Sequence, residues 1–306
     1  MPSHTNPRQT RVAGVPLSNP ERVLYPEQGL TKAALAAYYA DIADWILPHV
    51  IDRPLSLLRC PRGEDETCFY QRHPGDTPPA GVESVRLAEQ DGPADYIVLR
   101  DLDGLLGLVQ WGVLEIHPWG ARADTPDRPD RLVMDLDPGR GATWPDVIHG
   151  ARWLHGRLSE LGLGNFVRTT GGKGLHVVVP LTGELGWDDL KRFAHGLARQ
   201  LAEHDPQRYT VHPAKAERIN RVFVDYLRNA RGASSIASYS TRAHAHAPVA
   251  TPITWDELDQ LESPTAFTVA NIPERLGSLL DDPWHGFFDL EQTITPAMLG
   301  SLPAEG

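Results

Sequence analysis

Two otherwise apolar runs in this sequence carry acids where a strand interior should be neutral: Leu132-Val-Met-Asp-Leu-Asp137 and Val222-Phe-Val-Asp-Tyr226. Side chains alternate along a strand, so Asp135 and Asp137 share one face while Leu136 points to the other. Two like charges held a few ångströms apart are unfavourable unless a cation lies between them or one carboxyl keeps its proton. A divalent metal relieves the conflict, and Asp225 supplies a third acid of the same kind. Asp101-Leu-Asp103-Gly has the same spacing, but it stands at a helix start, where capping accounts for it. A fold for this chain must gather three separated acids around cations, and two metal ions so held suit phosphoryl transfer.

The rest of the chain permits such a site. Hydrophobic residues make up 41% and charged residues 23% of its 306 residues, which is ordinary globular composition with enough apolar surface for a core. The expectation is one catalytic domain over 1–306, with its core at about 12–290. The N-terminus lacks a secretory pattern and no apolar run is long enough to cross a membrane, so the expected location is the cytoplasm. Two cysteines, Cys60 and Cys68, are too few for a disulfide framework or a four-cysteine zinc site, and a reducing compartment suits them.

Abundant Gly and Pro favour an α+β domain with many loops. Helical spacing predicts a helix over 31–47, with Thr31 as N-cap and Pro48 as stop. Strand candidates follow at 54–59 and 67–71, then a loop rich in Pro, Gly and acid up to Pro93. A Leu-rich helix capped by Asp101 and a strand over 113–117 come next. The strand over 131–137 is followed by a helix over about 145–161 that ends at Gly162. Strands over 165–170 and 175–181, a helix over about 187–204, and β candidates at 221–227 and 235–239 complete the pattern.

The formal charge of −11 argues at first against a nucleic-acid partner. The distribution reverses that reading, because the segment Ala247–Gly306 carries −9, whereas Asp205–His246 is a basic strip of net +4. Within the strip Arg218, Arg228, Arg231 and Arg242 flank Asp225, and guanidinium forks suit phosphate oxygens. Thr170-Gly-Gly-Lys-Gly-Leu-His176 joins two strands, and a glycine-rich turn with Lys173 and His176 can form an anion cradle. It is not a P-loop, since Gly follows the lysine and the next element is a strand. Carboxylates for metal, a cradle and an arginine strip together describe a site for nucleoside triphosphate and metal.

These three motifs resemble the polymerase module of bacterial DNA ligase D, within the archaeo-eukaryotic primase superfamily. The likeness extends to Leu17-Ser-Asn-Pro-Glu-Arg-Val-Leu-Tyr-Pro26, Leu114-Glu-Ile-His-Pro118 and Pro248-Val-Ala-Thr-Pro252. It implies a primase-type α+β fold with an RRM-like catalytic sheet. It also implies addition of nucleotides, preferentially ribonucleotides, at broken DNA ends. By the same likeness, Asp135, Asp137 and Asp225 hold two Mn or Mg ions, and Thr170, Lys173, His176, Arg218 and Arg242 contact the incoming nucleotide. Asn19, Arg22 and Lys32 form a pocket for the downstream 5′-phosphate of a gap, and Phe69, with Tyr70 beside it, stacks on DNA. Expected partners are gapped or broken DNA, NTP or dNTP, a ligase and a Ku-type end-binding protein, at the nucleoid. Where relatives have Arg-x-Arg, this chain has Arg242-Ala-His244, replacing a permanent cation with a titrating group. The same carboxylates also suit a metal-dependent nuclease, and Arg22 with Lys32 suit a non-catalytic end-binding module.

Overall fold

Thr31 accepts a hydrogen bond from Ala34 N at 3.2 Å and caps α1 (Lys32–Asp41), the first helix of a computed structural model that describes residues 10–89 and 91–302. The N-terminal run 1–7 and Glu305, both used in the sequence reading, lie outside the described residues. The single helix expected over 31–47 is two, because the chain breaks at Ile42 and restarts as α2 (Ala43–Val50). Pro48 falls inside α2 instead of stopping the helix. The carbonyl that loses its donor there belongs to the solvent-exposed residue Asp44, so water can replace the missing bond.

Strands β1 (Leu55–Arg59) and β2 (Phe69–Gln71) pair antiparallel. The turn between them is closed by a Cys60–Cys68 disulfide, so the two cysteines expected to suit a reducing compartment are bonded to each other. Being only eight residues apart, they form one local link and no framework. The stretch expected to be loop up to Pro93 contains β3 (Glu83–Leu87), whose partner β4 (Ala94–Val98) follows at once. Exposed Glu83, Ser84 and Arg86 obscured the strand signal there. Asp101 caps α3 (Leu102–Gln110) through Gly104 N, and β5 (Val113–Pro118) returns to pair with β1. Leu35, Ile46, Leu57, Leu106 and Ile116 fill the core shared by these elements.

The larger sheet begins with β6 (Arg131–Pro138), followed by α4 (Trp144–Glu160), β7 (Phe166–Thr169) and β8 (Leu175–Pro180). Then come α5 (Trp187–His204), β9 (Tyr209–Thr210), β10 (Val222–Asp225) and β11 (Pro252–Ile253). The strand order is β9-β10-β6-β8-β7-β11, antiparallel throughout except for the β9/β10 pair. The candidate strand at 235–239 is not one. Ala237 N reaches Ile116 O at 2.9 Å, but Tyr239 adopts φ +66° and turns the chain out of the ladder.

Period-two alternation gives the sheet two different faces. Leu132, Met134 and Leu136 of β6 pack with Leu154 of α4 and Phe193 of α5. On the other face Val133 and Val178 are covered by Trp284 and Phe287, contributed by the acidic C-terminal segment. That segment also supplies β11, while Asp256, Asp259, Glu262 and Glu274 point to solvent. Beyond the Trp284 cover the same face carries the polar residues of the site.

Candidate active site

The strand register sets four polar side chains in one row. Asp225 of β10 lies opposite Asp135 of β6, Asp135 opposite His176 of β8, and His176 opposite Arg168 of β7. Directly opposed residues have Cβ atoms about 5 Å apart. Asp137 follows Asp135 on the same face, two residues along the strand. Like charges this close need a cation, and the chain itself provides one: Arg228 Nε lies 3.3 Å from Asp135 Oδ2 and 3.2 Å from Asp225 Oδ2. Arg218 Nη1 donates to Asp137 Oδ2 at 2.9 Å.

Burial raises the carboxyl pKa of both Asp137 and Asp225, and the neighbouring Asp135 charge raises each further. Burial would raise Asp135 too, but His176 and Arg228 outweigh it and hold it at about 2. So one carboxylate is firmly ionised, and the two beside it lack enough positive charge. Hard oxygen donors with a cation already held between two of them fit a hard divalent metal ion. Among the described residues no three metal-ligating side chains stand in a ready-made cage, and Arg228 and Arg218 hold the carboxylates in ion pairs.

His176 takes its orientation from a residue that the sequence reading missed. Arg168, buried on β7, donates to His176 Nδ1 from Nη2 at 2.9 Å and from Nε at 3.2 Å. Arginine can only donate, so Nδ1 is the acceptor and the ring proton sits on Nε2, 3.4 Å from Asp135 Oδ1. Burial pushes His176 down to about 4, so at neutral pH it offers a hydrogen bond and no charge.

The glycine turn is built around Thr170. Its hydroxyl donates to Gly174 O and accepts from Gly172 N and Gly174 N, at 3.1 to 3.3 Å. Gly174 packs so closely that a Cβ there would lie 2.0 Å from Leu136 O. The turn leaves Lys173 exposed at the rim. Thr170 therefore shapes the cradle, and its one proton is spent inside the turn.

Arg242 clamps this turn to the β1/β5 sheet, donating from Nη1 to Thr170 O at 3.1 Å and from Nε to Glu115 Oε1 at 3.0 Å. Glu115, 2% exposed, also accepts from Ala243 N and from His117 Nε2 at 2.8 Å. Burial alone would raise Glu115, yet His117 and Arg242 bring it to about 2. Glu115 and Arg168 are absent from the candidate residues, and Arg228, read as one of the phosphate-suited arginines of the strip, instead pairs with Asp135 and Asp225. The signal for the first two was available, since each is a charge inside an apolar strand, as Asp225 is.

These groups face a cleft of about 530 Å³ lined by Asp135, Asp137, Thr170, Lys173, His176, Arg242, His244 and Tyr70. Asp225 and Arg218 border it through Arg228 and Asp137, which they contact. Phe69 is exposed on β2, with Arg59 Cζ 5.3 Å from its ring centroid, and lies off the cleft lining; Tyr70 next to it meets His117 edge-on. Asn19, Arg22 and Lys32 gather separately where α1 begins. Lys32 N bonds Arg22 O and Arg22 N bonds Asn19 O. Lys32 is buried, with Nζ held by Ser18 O and Gln110 O, whereas Arg22 and Asn19 are exposed.

The family model of the LigD primase-polymerase domain matches residues 31–284. The multifunctional non-homologous end joining protein LigD of Pseudomonas aeruginosa is 38% identical over 95% of this chain, and the bifunctional LigD of Bacillus subtilis is 27% identical over 84%. The chain spans 35% and 41% of those two proteins, respectively. The solved polymerase domain of Mycobacterium tuberculosis ligase D in complex with DNA superposes with a TM-score of 0.82. It is 29% identical, and the match covers 94% of this chain and 99% of that one. With the family model spanning most of its length and a primase-type fold carrying its acids, the chain belongs to the LigD primase-polymerase family and is a nucleotidyltransferase domain.

Proposed function

We propose that this domain adds nucleotides, ribonucleotides by preference, to the 3′ end of a primer strand at gapped or broken DNA, directed by the template strand. The observation that supports this reading best is the row Asp225-Asp135-His176 beside a cleft that Lys173 and Arg242 also line. Its volume lies within the usual 300–1,000 Å³ of small-ligand sites. Asp135, Asp137 and Asp225 would hold two divalent ions, Mn or Mg. When bound, such ions lower the pKa of the attacking hydroxyl and neutralise charge on the phosphates. The chain's own groups do the rest. Lys173, Arg242 and His244 take the triphosphate, and His176 Nε2–H donates to an oxygen at the carboxylate end. Glu115 and Arg168 hold Arg242 and His176 at their working angles. The exposed ring of Phe69 offers a stacking surface for bases, which tolerates any sequence.

Arg22 and Asn19 suit the 5′-phosphate at the far side of a gap, with Lys32 as a buried positive charge beneath them. A ligase and a Ku-type protein are the partners this role calls for. Primer extension on a gapped duplex tests the reading, with and without the 5′-phosphate, comparing ribo- with deoxynucleotides in Mn and in Mg. The expected result is metal-dependent extension, stronger with ribonucleotides and with the phosphate present. Shortening of the labelled strand without nucleotides would instead mark a nuclease, and binding without incorporation an end-binding module.

A further inference from the structure

Behind the polar row, toward the Arg131 end of β6, the same sheet face encloses a small cavity that the catalytic reading does not use. It has room for one water-sized body, about 10 Å³, and is lined by deeply buried Trp119, Arg131, Val133, Arg168, Val178 and Trp284 together with half-buried Gly120 and Ser235. Two of these residues carry an unused donor. Arg131 Nη2 and Trp119 Nε1 are buried without a hydrogen-bond acceptor among the described residues. Arg131 Nη1 donates to His49 O, and Arg168 donates to His176 and to the hydroxyls of Ser235 and Ser238, so every partner is neutral. Neither guanidinium forms an ion pair with a described residue. Of the two carboxylates whose charge reaches them, Asp130 is already bound by a third buried arginine, Arg53, at 2.5 Å, and Asp135 is paired with Arg228 and lies beyond His176 from Arg168.

Charge decides what fills the cavity. A buried guanidinium without a counter-charge costs several kcal/mol, and arginine does not escape by losing its proton. A water molecule would satisfy the two N–H groups but add no negative charge where three buried guanidinium groups, Arg53, Arg131 and Arg168, share one directly bound carboxylate, Asp130. A monatomic anion satisfies donors and charge together and fits the space, whereas sulfate or phosphate does not.

We propose that the cavity between Trp119, Arg131 and Arg168 is a chloride-binding site. The ion receives Arg131 Nη2–H and Trp119 Nε1–H and balances Arg168. Because Arg168 also orients His176, the ion ties the rear of the sheet to the catalytic row.

Two measurements test this. Crystals grown with bromide in place of chloride should give an anomalous peak in the cavity. Thermal unfolding of the purified chain at equal ionic strength should show a midpoint higher in chloride than in gluconate, by about 2 °C for a site well above half-saturated. That difference should shrink in Trp119→Phe, which loses one N–H while keeping a ring, and vanish in Arg131→Met. General salt effects persist in all three proteins. A cavity without bromide signal, or a chloride-gluconate difference that both variants retain, would overturn the proposal.

Discussion

The least exposed charge near the cleft is Glu115, and its energetics follow from its three donors. Folding lowers its pKa from 4.5 to about 2, with the carboxylate as the favoured form. Its contribution is therefore complete above about pH 4.5 and is lost as pH falls toward 2. Glu115→Gln should lower stability by roughly 2–3 kcal/mol at neutral pH. In urea titrations across pH, the gap to wild type should close in acid; a constant gap would contradict this role. His244 offers a second test at the same scale. It is exposed on the cleft rim, two residues from Arg242. His244→Arg should lower KM for the nucleotide about tenfold with kcat little changed, the worth of one charge-assisted contact. The acids themselves were readable in the sequence because a charge in an apolar strand violates the local pattern. Arg228 was not, since three residues past Asp225 in an arginine strip nothing distinguishes it from a solvated cation. Only the fold turns its Nε between two carboxylates.

Among the elements, the glycine turn between β7 and β8 has the least tolerance. A methyl at Gly174 would collide with Leu136 O, part of the strand that holds Asp135 and Asp137. Gly174→Ala should cost about 3 kcal/mol in thermal or urea unfolding and sharply reduce extension, because relieving the clash moves β6 or the turn. An alanine variant as stable and active as wild type would show that the contact is not needed. Elements with a strong period were legible: α5 was bounded correctly at 187–204, and β6, β7 and β8 were found within two residues. The misses have physical causes. β3 exposes most of its side chains and reads as loop, the segment 235–239 has strand composition but a positive φ at Tyr239, and the helix break at Ile42 carries no sequence mark.

For the whole molecule, the net charge of −11 misleads unless it is mapped. The acidic C-terminal segment covers the sheet with Trp284 and Phe287 and exposes Asp256, Asp259, Glu262 and Glu274 to solvent, while the cleft itself is lined by Arg72, Arg228, Arg242 and Lys173. DNA affinity should accordingly fall about a hundredfold between 50 and 200 mM salt, as for roughly four phosphate contacts. Arg22→Ala should remove most of the preference for a 5′-phosphate, measured by competition between phosphorylated and unphosphorylated gaps. The cross-strand row of Asp225, Asp135, His176 and Arg168 could not be read from sequence, because register is a tertiary property. The account turns on that row being the site of nucleotidyl transfer. The most direct measurement is the rate of incorporation of one labelled ribonucleotide into a primed gap in Mn, for wild type beside Asp137→Ala. The account predicts a loss of about a thousandfold or more with an unchanged fold by circular dichroism, since several kcal/mol of charge stabilisation disappear. Incorporation by the variant at a rate near wild type would contradict it.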